Sequence, residues 1–345
     1  MSCYDGHTDM VEWLLRNDVN VDQCRDDGVT GLCMASLQGH TNIVKLLLER
    51  NPYVNLCDKN GCSPLYLASQ NGHTDIVKLL LERNPDVNLY HNDGWSPLLK
   101  ASQKGHTDIV ILLLERNPDP CDKTPLSTSY VNNNTSISNS PSLVQPIMKH
   151  KPDINAQTYD GGNALYFSAL FGNIEITQLL SENNADSNIR IHSKQYITET
   201  LNNHPSITLE IEKQNVFDNL VKNTSSRVTE YVSKKSVDYA FDVVAGSSPL
   251  HIACFIGRIH EVCCLIDNNA NIDMTKDDGI TPLWYACEVG HEDIVLLLLD
   301  KKADTKICKN NGKSPLEIAT DNGHTSIVEI VKENTYLISL FYLKN

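Results

Sequence analysis

An all-α solenoid of stacked helix–turn–helix repeats is the fold class this sequence predicts. Two observations carry the prediction: one period recurs in several independent columns, and helix start and stop signals fall at the same place within each period. Pro64-Leu65 and Pro97-Leu98 stand 33 residues apart, and Pro249-Leu250, Pro282-Leu283 and Pro315-Leu316 repeat that step. Gly-His pairs keep the same beat at Gly6-His7, Gly39-His40, Gly72-His73 and Gly105-His106, then at Gly290-His291 and Gly323-His324.

Each unit reads in order. Thr30, Ser63, Ser96, Ser248, Thr281 and Ser314 are expected to cap a first helix, mostly with Pro following where its missing N–H costs nothing. Small residues such as Ala68-Ser69, Ala101-Ser102 and Ala286-Cys287 allow neighbouring helices to approach closely. A glycine able to take positive φ then ends that helix. Thr41, Thr74 and Thr107 are expected to cap a second helix, whose stripe includes Ile76, Val77, Leu79, Leu80 and Leu81. Asn84-Pro85 or Asn269-Ala270 closes the unit, and Asn60-Gly61, Asp93-Gly94 or Asp278-Gly279 turns into the next.

These motifs resemble the ankyrin repeat family. Ser248-Pro249-Leu250-His251-Ile252-Ala253 matches its TPLHxA turn, and Gly72-His73-Thr74-Asp75-Ile76-Val77-Lys78-Leu79-Leu80 its GHxxIVxxLL helix. The resemblance implies an ankyrin-repeat solenoid with turn fingers along one edge and a concave face that grips partners. The His after Pro-Leu is kept only at His251; Cys33, Tyr66, Leu99, Tyr166, Trp284 and Glu317 replace it elsewhere, which weakens the turn hydrogen bonding the family normally has.

The domain reading follows the period. Residues 1–120 form N-terminal repeats, the first one partial, and 121–157 a degenerate repeat with a turn at Thr124-Pro125-Leu126 and a flexible loop over 127–141. Val144 to Asn155 reads as a damaged second helix. Residues 158–190 are a further repeat, 191–242 an irregular helical insertion or an eroded repeat, 243–334 the C-terminal repeats, and 335–345 an apolar tail. A weak turn signal stands near Pro205. With no first helix ahead of Gly6-His7 to cover Trp13, Leu14 and Leu15, and Leu337 to Leu343 where a polar cap belongs, the chain reads as part of a longer array or an imperfect gene model.

Composition narrows the function. Across 345 residues the net charge is −14, with no Lys/Arg cluster beyond Lys234-Lys235, so nucleic acid is not the expected partner. No segment reaches the ~20 apolar residues of a membrane span, and Met1 to Asp5 does not read as a signal peptide. Eleven cysteines without such a signal suggest free thiols in a reducing compartment, cytoplasmic or nuclear, with the sequons at Asn133, Asn134 and Asn223 unused.

No catalytic, cofactor or metal site is expected. Cys24 and Cys57, like Cys254 and Cys287, share repeat columns and stand too far apart for zinc, while the Gly-His histidines follow from repeat geometry. Gly312-Lys313-Ser314 lacks the first glycine of a phosphate loop, having Ile307 there. An enzyme built into 191–242 would have to show a pocket with a strongly perturbed carboxylate or His.

The resemblance places partner contacts at the finger tips and the ends of the first helices. By register these are Trp95 and Cys62, then Tyr159, Leu170, Phe171, Phe255, Ile256, Ile280 and Val289, against mostly polar equivalents in the early repeats (Gln70-Asn71, Gln103-Lys104, and a mixed Leu37-Gln38). Such apolar residues are expected either to bind a protein partner or to pack against 191–242. Leu80, Asp86 and Asn88 also fit the spacing at which asparagines of this family are hydroxylated. The expected function is a monomeric, non-enzymatic scaffold for protein partners, or the targeting segment of a larger protein such as a ubiquitin-ligase adaptor, channel or signalling kinase.

Overall fold

The computed structural model describes residues 1–115, 151–202 and 208–344. The expected turn at Thr124-Pro125-Leu126, the loop 127–141, most of the damaged helix from Val144 and the signal near Pro205 lie outside the described residues. Among those described there are twenty helices and no strand, only a lone bridge between Cys24 and Thr30. The chain divides into two compact units, Met1–Leu89 with Ile111–Pro152, and Tyr90–Val110 with Asp153–Asn345.

In the first unit, α1 (Ser2–Asp5) and α2 (Thr8–Arg16) are followed by the pairs α3 (Gly31–Gln38)/α4 (Thr41–Leu48) and α5 (Pro64–Asn71)/α6 (Thr74–Leu81). First helices pack on first helices, α1 on α3 and α3 on α5, and second on second. The single turn of α1 stands where no first helix was expected; Leu15 is buried behind it, whereas Trp13 stays 59% exposed.

The second unit holds α7 (Pro97–Lys104), part of α8 (Thr107–Leu114), and the pair α9 (Ala164–Phe171)/α10 (Ile174–Glu182). Four helices off the repeat pattern follow: α11 (Lys194–Asn202), α12 (Leu209–Lys222), α13 (Ser226–Ser233) and α14 (Val237–Val244). The pattern resumes with α15 (Pro249–Ile256)/α16 (Ile259–Asp267), α17 (Pro282–Val289)/α18 (Glu292–Asp300) and α19 (Pro315–Asp321)/α20 (Thr325–Lys344). Since α9 packs directly on α15, and α10 on α16, the extra helices take no place in the stack. They leave from a finger: Ile191 N donates to Ser247 O (2.9 Å) and Gly246 N to His192 O (3.0 Å), closing the base of the excursion.

First helices start as the sequence indicates. Thr30, Ser63, Ser96, Ser248, Thr281 and Ser314 each accept a bond from the backbone N–H three residues on, and Asn163 does the same for α9. Turn bonding survives two losses of the family's His. Glu317 accepts from Ser314 N at 2.7 Å and restores a reciprocal cap, while Trp284 Nε1 donates to Lys313 O (3.2 Å) much as His251 Nε2 donates to Ile280 O (3.1 Å).

The second helices start differently from expectation. Thr41 and Thr74 do not cap them; each is the first helical residue, and the N-cap is the preceding His40 or His73 with no side-chain cap bond. That histidine faces the previous repeat instead. His73 Nε2 donates to Leu37 O (3.1 Å), His291 to Phe255 O (3.0 Å) and His324 to Glu288 O (3.1 Å). The ring lies against the preceding glycine so closely that a Cβ on Gly290 would stand 2.6 Å from His324 Cε1. Gly290 also has φ +91°, where a side chain is strained by itself.

Gly290→Ala therefore meets two penalties, left-handed backbone and a clash with His324. It is expected to lower unfolding free energy by about 2–3 kcal/mol in urea titrations, with His324→Ala in the same chain relieving only the steric part. A loss no larger than that of an exposed Ala substitution would remove the lock.

Candidate protein-binding surface

The register positions expected to meet a partner divide into two sets. Trp95, Tyr159 and Phe171 are partly exposed. Leu170, Phe255, Ile256, Ile280 and Val289 are buried, Phe255 at 0% exposure, and so is Cys62 at 9%. Of the two expectations for these apolar residues, burial fits internal packing for these six. In the second unit one reason is the excursion: Phe255 stacks between Tyr239 of α14 (centroids 6.4 Å) and Tyr285 of α17 (5.3 Å), and α13 packs on α17.

Three cations fasten this cover, Lys276 from a buried position. Lys276 Nζ donates to Asp242 O, to Val243 O (3.1 Å) and to Tyr285 Oη (2.7 Å), so an ammonium closes the carbonyl end of α14, where the helix dipole favours positive charge. Burial pushes its pKa down to about 8. Arg227 Nη1 donates to Gly290 O at the end of α17, and Arg258 Nη2 to Asn223 O (2.8 Å) at the end of α12. Tyr231 Oη donates to Glu288 Oε1 (3.1 Å), whose carboxyl is held above the ordinary carboxylate range by burial.

What stays open is a cleft of about 350 Å³ lined by the finger residues Asp93, Trp95, Tyr159 and Asp160, by Phe167 and Phe171 of α9, and by Glu212 and Asp218 of α12. The fingers are held together by Tyr159 N donating to Asp93 O (3.2 Å). Trp95 stacks on Phe167 with centroids 4.5 Å apart, and Lys100 Nζ stands 3.7 Å over the Trp95 ring. Asp160 accepts from the Thr158 hydroxyl, and Glu212 from Asn215 and the Tyr159 hydroxyl. Both carboxyls titrate above their ordinary range, through burial first and, for Glu212, the Asp160 charge second. The Glu212 pairing was not legible from spacing, because nothing periodic links α12 to the Tyr159 finger.

Family models described as ankyrin repeats (3 copies) match residues 1–91, 52–124, 218–307 and 250–339, and one described as ankyrin repeats (many copies) matches 136–180. The chain belongs to the ankyrin repeat family. Over 132 residues it is 30% identical to the ankyrin repeat protein L371 of Acanthamoeba polyphaga mimivirus, a match that takes in 37% of this chain and 14% of that much longer protein. The fold is similar to the crystal structure of the human ASB11 ankyrin repeat domain, with TM-score 0.54 and 20% identity over 86% of this chain and 95% of that one. Ankyrin repeats are generally protein–protein interaction modules. Among the described residues no helix is long and apolar enough to cross a membrane.

Asn88 sits in the ankyrin ladder that ties one finger base to the next. Asn55 Oδ1 accepts from Asp86 N (2.9 Å), Asp86 in turn accepts from Asn88 N (2.9 Å), and Asn88 Nδ2 donates to Lys151 O (3.0 Å).

Two outcomes follow from the burial. Phe255→Ala is expected to cost about 3–5 kcal/mol in denaturant titrations, as a core aromatic does, and a change below about 1 kcal/mol would return Phe255 to the surface. His251 is buried and neutral, its pKa pushed down from 6.5 to about 3 mainly by burial. The folded value lies below the unfolded one, so the stability neutral His251 brings is complete above pH about 6.5 and drains as pH falls towards 3. Between pH 6.5 and 4.5 the wild type should lose about 2–3 kcal/mol more than His251→Asn. Parallel pH profiles of the two chains would contradict this.

Proposed function

We propose that this chain is a non-enzymatic protein-interaction module, and that in its second unit the partner docks on the rim formed by Trp95, Tyr159 and Phe171. The observation that carries the reading is the burial of the other register positions in that unit under the chain's own helices, which leaves these three aromatics presented together at one cleft. Part-exposed Trp and Tyr beside a concavity are residues that dominate interface energies, each worth about 2 kcal/mol or more. In the first unit the ends of α3 and α5 offer exposed Gln38 and Asn71, a polar face suited to weaker, wetter contacts.

The targeting-segment reading has its own support in L371, of whose length the match covers 14%. A recognition array within a longer protein would use the same rim. The raised carboxyl of Glu212 meets one condition for an enzyme in 191–242, but the family favours the interaction reading. The family and the free cysteines among the described residues favour a reducing, cytoplasmic setting. Hydroxylation of Asn88 is proposed on its Leu80 and Asp86 spacing; intact mass of protein from its native cells should show one added oxygen, and its absence removes the proposal.

Affinity purification with wild type and with Trp95→Ala/Phe171→Ala tests the rim. Provided the melting curves show both folded, partners should fall by about tenfold or more with the variant. An unchanged partner set removes the rim as the docking site.

A further inference from the structure

The cleft behind that rim is charged in one sense. Asp93, Asp160, Glu212 and Asp218 line it against a single Lys222, in a chain whose net charge is −14. An anion is excluded by this lining, and an apolar plug would strip water from these carboxyls with no positive charge in return. A cation relieves them. The Trp95 ring of the same wall already holds one, the Lys100 ammonium of the chain itself.

A second, independent feature asks for a donor. Tyr166 is 1% exposed and lines the same cleft, yet its hydroxyl has no hydrogen-bond partner, in an interior where such groups are nearly always paired. Its neighbours account for its position but not for the idle oxygen: its ring is packed edge-on to Phe167 with centroids 5.7 Å apart. A ligand with several N–H groups in one plane can serve a phenol oxygen and two carboxylates at once. That description fits a guanidinium better than an ammonium, which is a compact point charge.

Resting on the interaction reading above, we infer that this cleft receives an arginine side chain from a basic segment of the partner protein. The guanidinium sits between Glu212 and Asp160 within reach of the Tyr166 hydroxyl, and the methylene stem lies along Trp95 and Phe171. A volume of about 350 Å³ holds one long side chain and little of the backbone that bears it. Recognition is therefore by one anchoring residue, with the rim reading its neighbours.

The test uses the full chain and a fluorescein-labelled, end-blocked Gly/Ser peptide bearing arginines, with citrulline and lysine counterparts, titrated by anisotropy. The arginine peptide should bind at least about tenfold more tightly than the citrulline peptide, and more tightly than the lysine one. Glu212→Gln should weaken it about tenfold, while Glu292→Gln, an exposed carboxylate on α18, should leave it unchanged. A benzophenone beside the arginine should cross-link wild-type protein within the cleft, a readout that stands even if Glu212→Gln fails to fold. Equal binding of the citrulline peptide, equal weakening by Glu292→Gln, or cross-links mapped elsewhere would each overturn the arginine site. Purified partners lost with Trp95→Ala/Phe171→Ala, alongside a peptide that does not distinguish arginine from citrulline, would remove the arginine and leave the rim standing.

Discussion

The contact between one repeat's terminal glycine and the next repeat's N-cap histidine sets the terms for the rest of the fold. At Gly39 or Gly290 the backbone must turn with positive φ and admit an imidazole where a Cβ would be, which no other residue allows. The imidazole then donates from Nε2 to a carbonyl two residues before that glycine, as His73 does to Leu37 O and His324 to Glu288 O. Carbonyls at a helix end are otherwise left to water. With helix ends fixed this closely, the first helices can carry only small residues at mid-length, hence the Ala35-Ser36, Ala68-Ser69 and Ala286-Cys287 columns. Period, composition and stacking distance are three expressions of one contact.

Where the column departs from histidine, the structure changes with it. Asn173 still donates from Nδ2 to a first-helix carbonyl, Ser102 O (2.9 Å), three residues before Gly105 instead of two. Arg258 does not; its guanidinium lies against Gly172 and reaches out to Asn223 O at the end of α12. The excursion is thus pinned at the repeat that follows it, by the residue that broke the pattern. The finger-base ladder records the same event, its bond from Asn271 N to Asn188 Oδ1 spanning 83 positions where the others span 31. Stacking continues past the excursion because the finger-base ladder closes over it.

This explains what could be read from residues alone and what could not. Helix order, first-helix caps and finger turns repeat, and repetition makes weak local signals decisive. Thr41 and Thr74 misled because a good capping residue after Gly-His looks the same whether it caps or begins the helix; the lock assigns the cap position to His40 and His73. Phe255, Ile256 and Val289 left two readings open for a different reason. Hydrophobicity states that a side chain is covered, and it does not state by what, so partner and excursion remained equal readings until Tyr239 was found against Phe255. Glu212 carried no signal, since its role depends on a fold-back of α12 that has no period. Arg258, alone in its column, was the legible warning that something non-repetitive lay nearby.

The apolar first-helix ends and the excursion therefore form one feature. Polar Gln38 and Asn71 end α3 and α5, helices that carry no such cover, whereas Phe255, Ile256 and Val289 end α15 and α17, which do. Stripping α12–α14 from the second unit would wet those side chains together with Tyr285 and leave Lys276 without its carbonyls, so these helices are core and not a dispensable loop. Cover of this kind has an edge. At α9 it falls between Leu170, 7% exposed, and Phe171, partly open, and along that edge the finger acids and Glu212 meet Trp95 and Tyr159. A surface apolar enough to anchor and charged enough to select is left where the chain's cover of itself stops, which is why the proposed recognition site lies at that boundary.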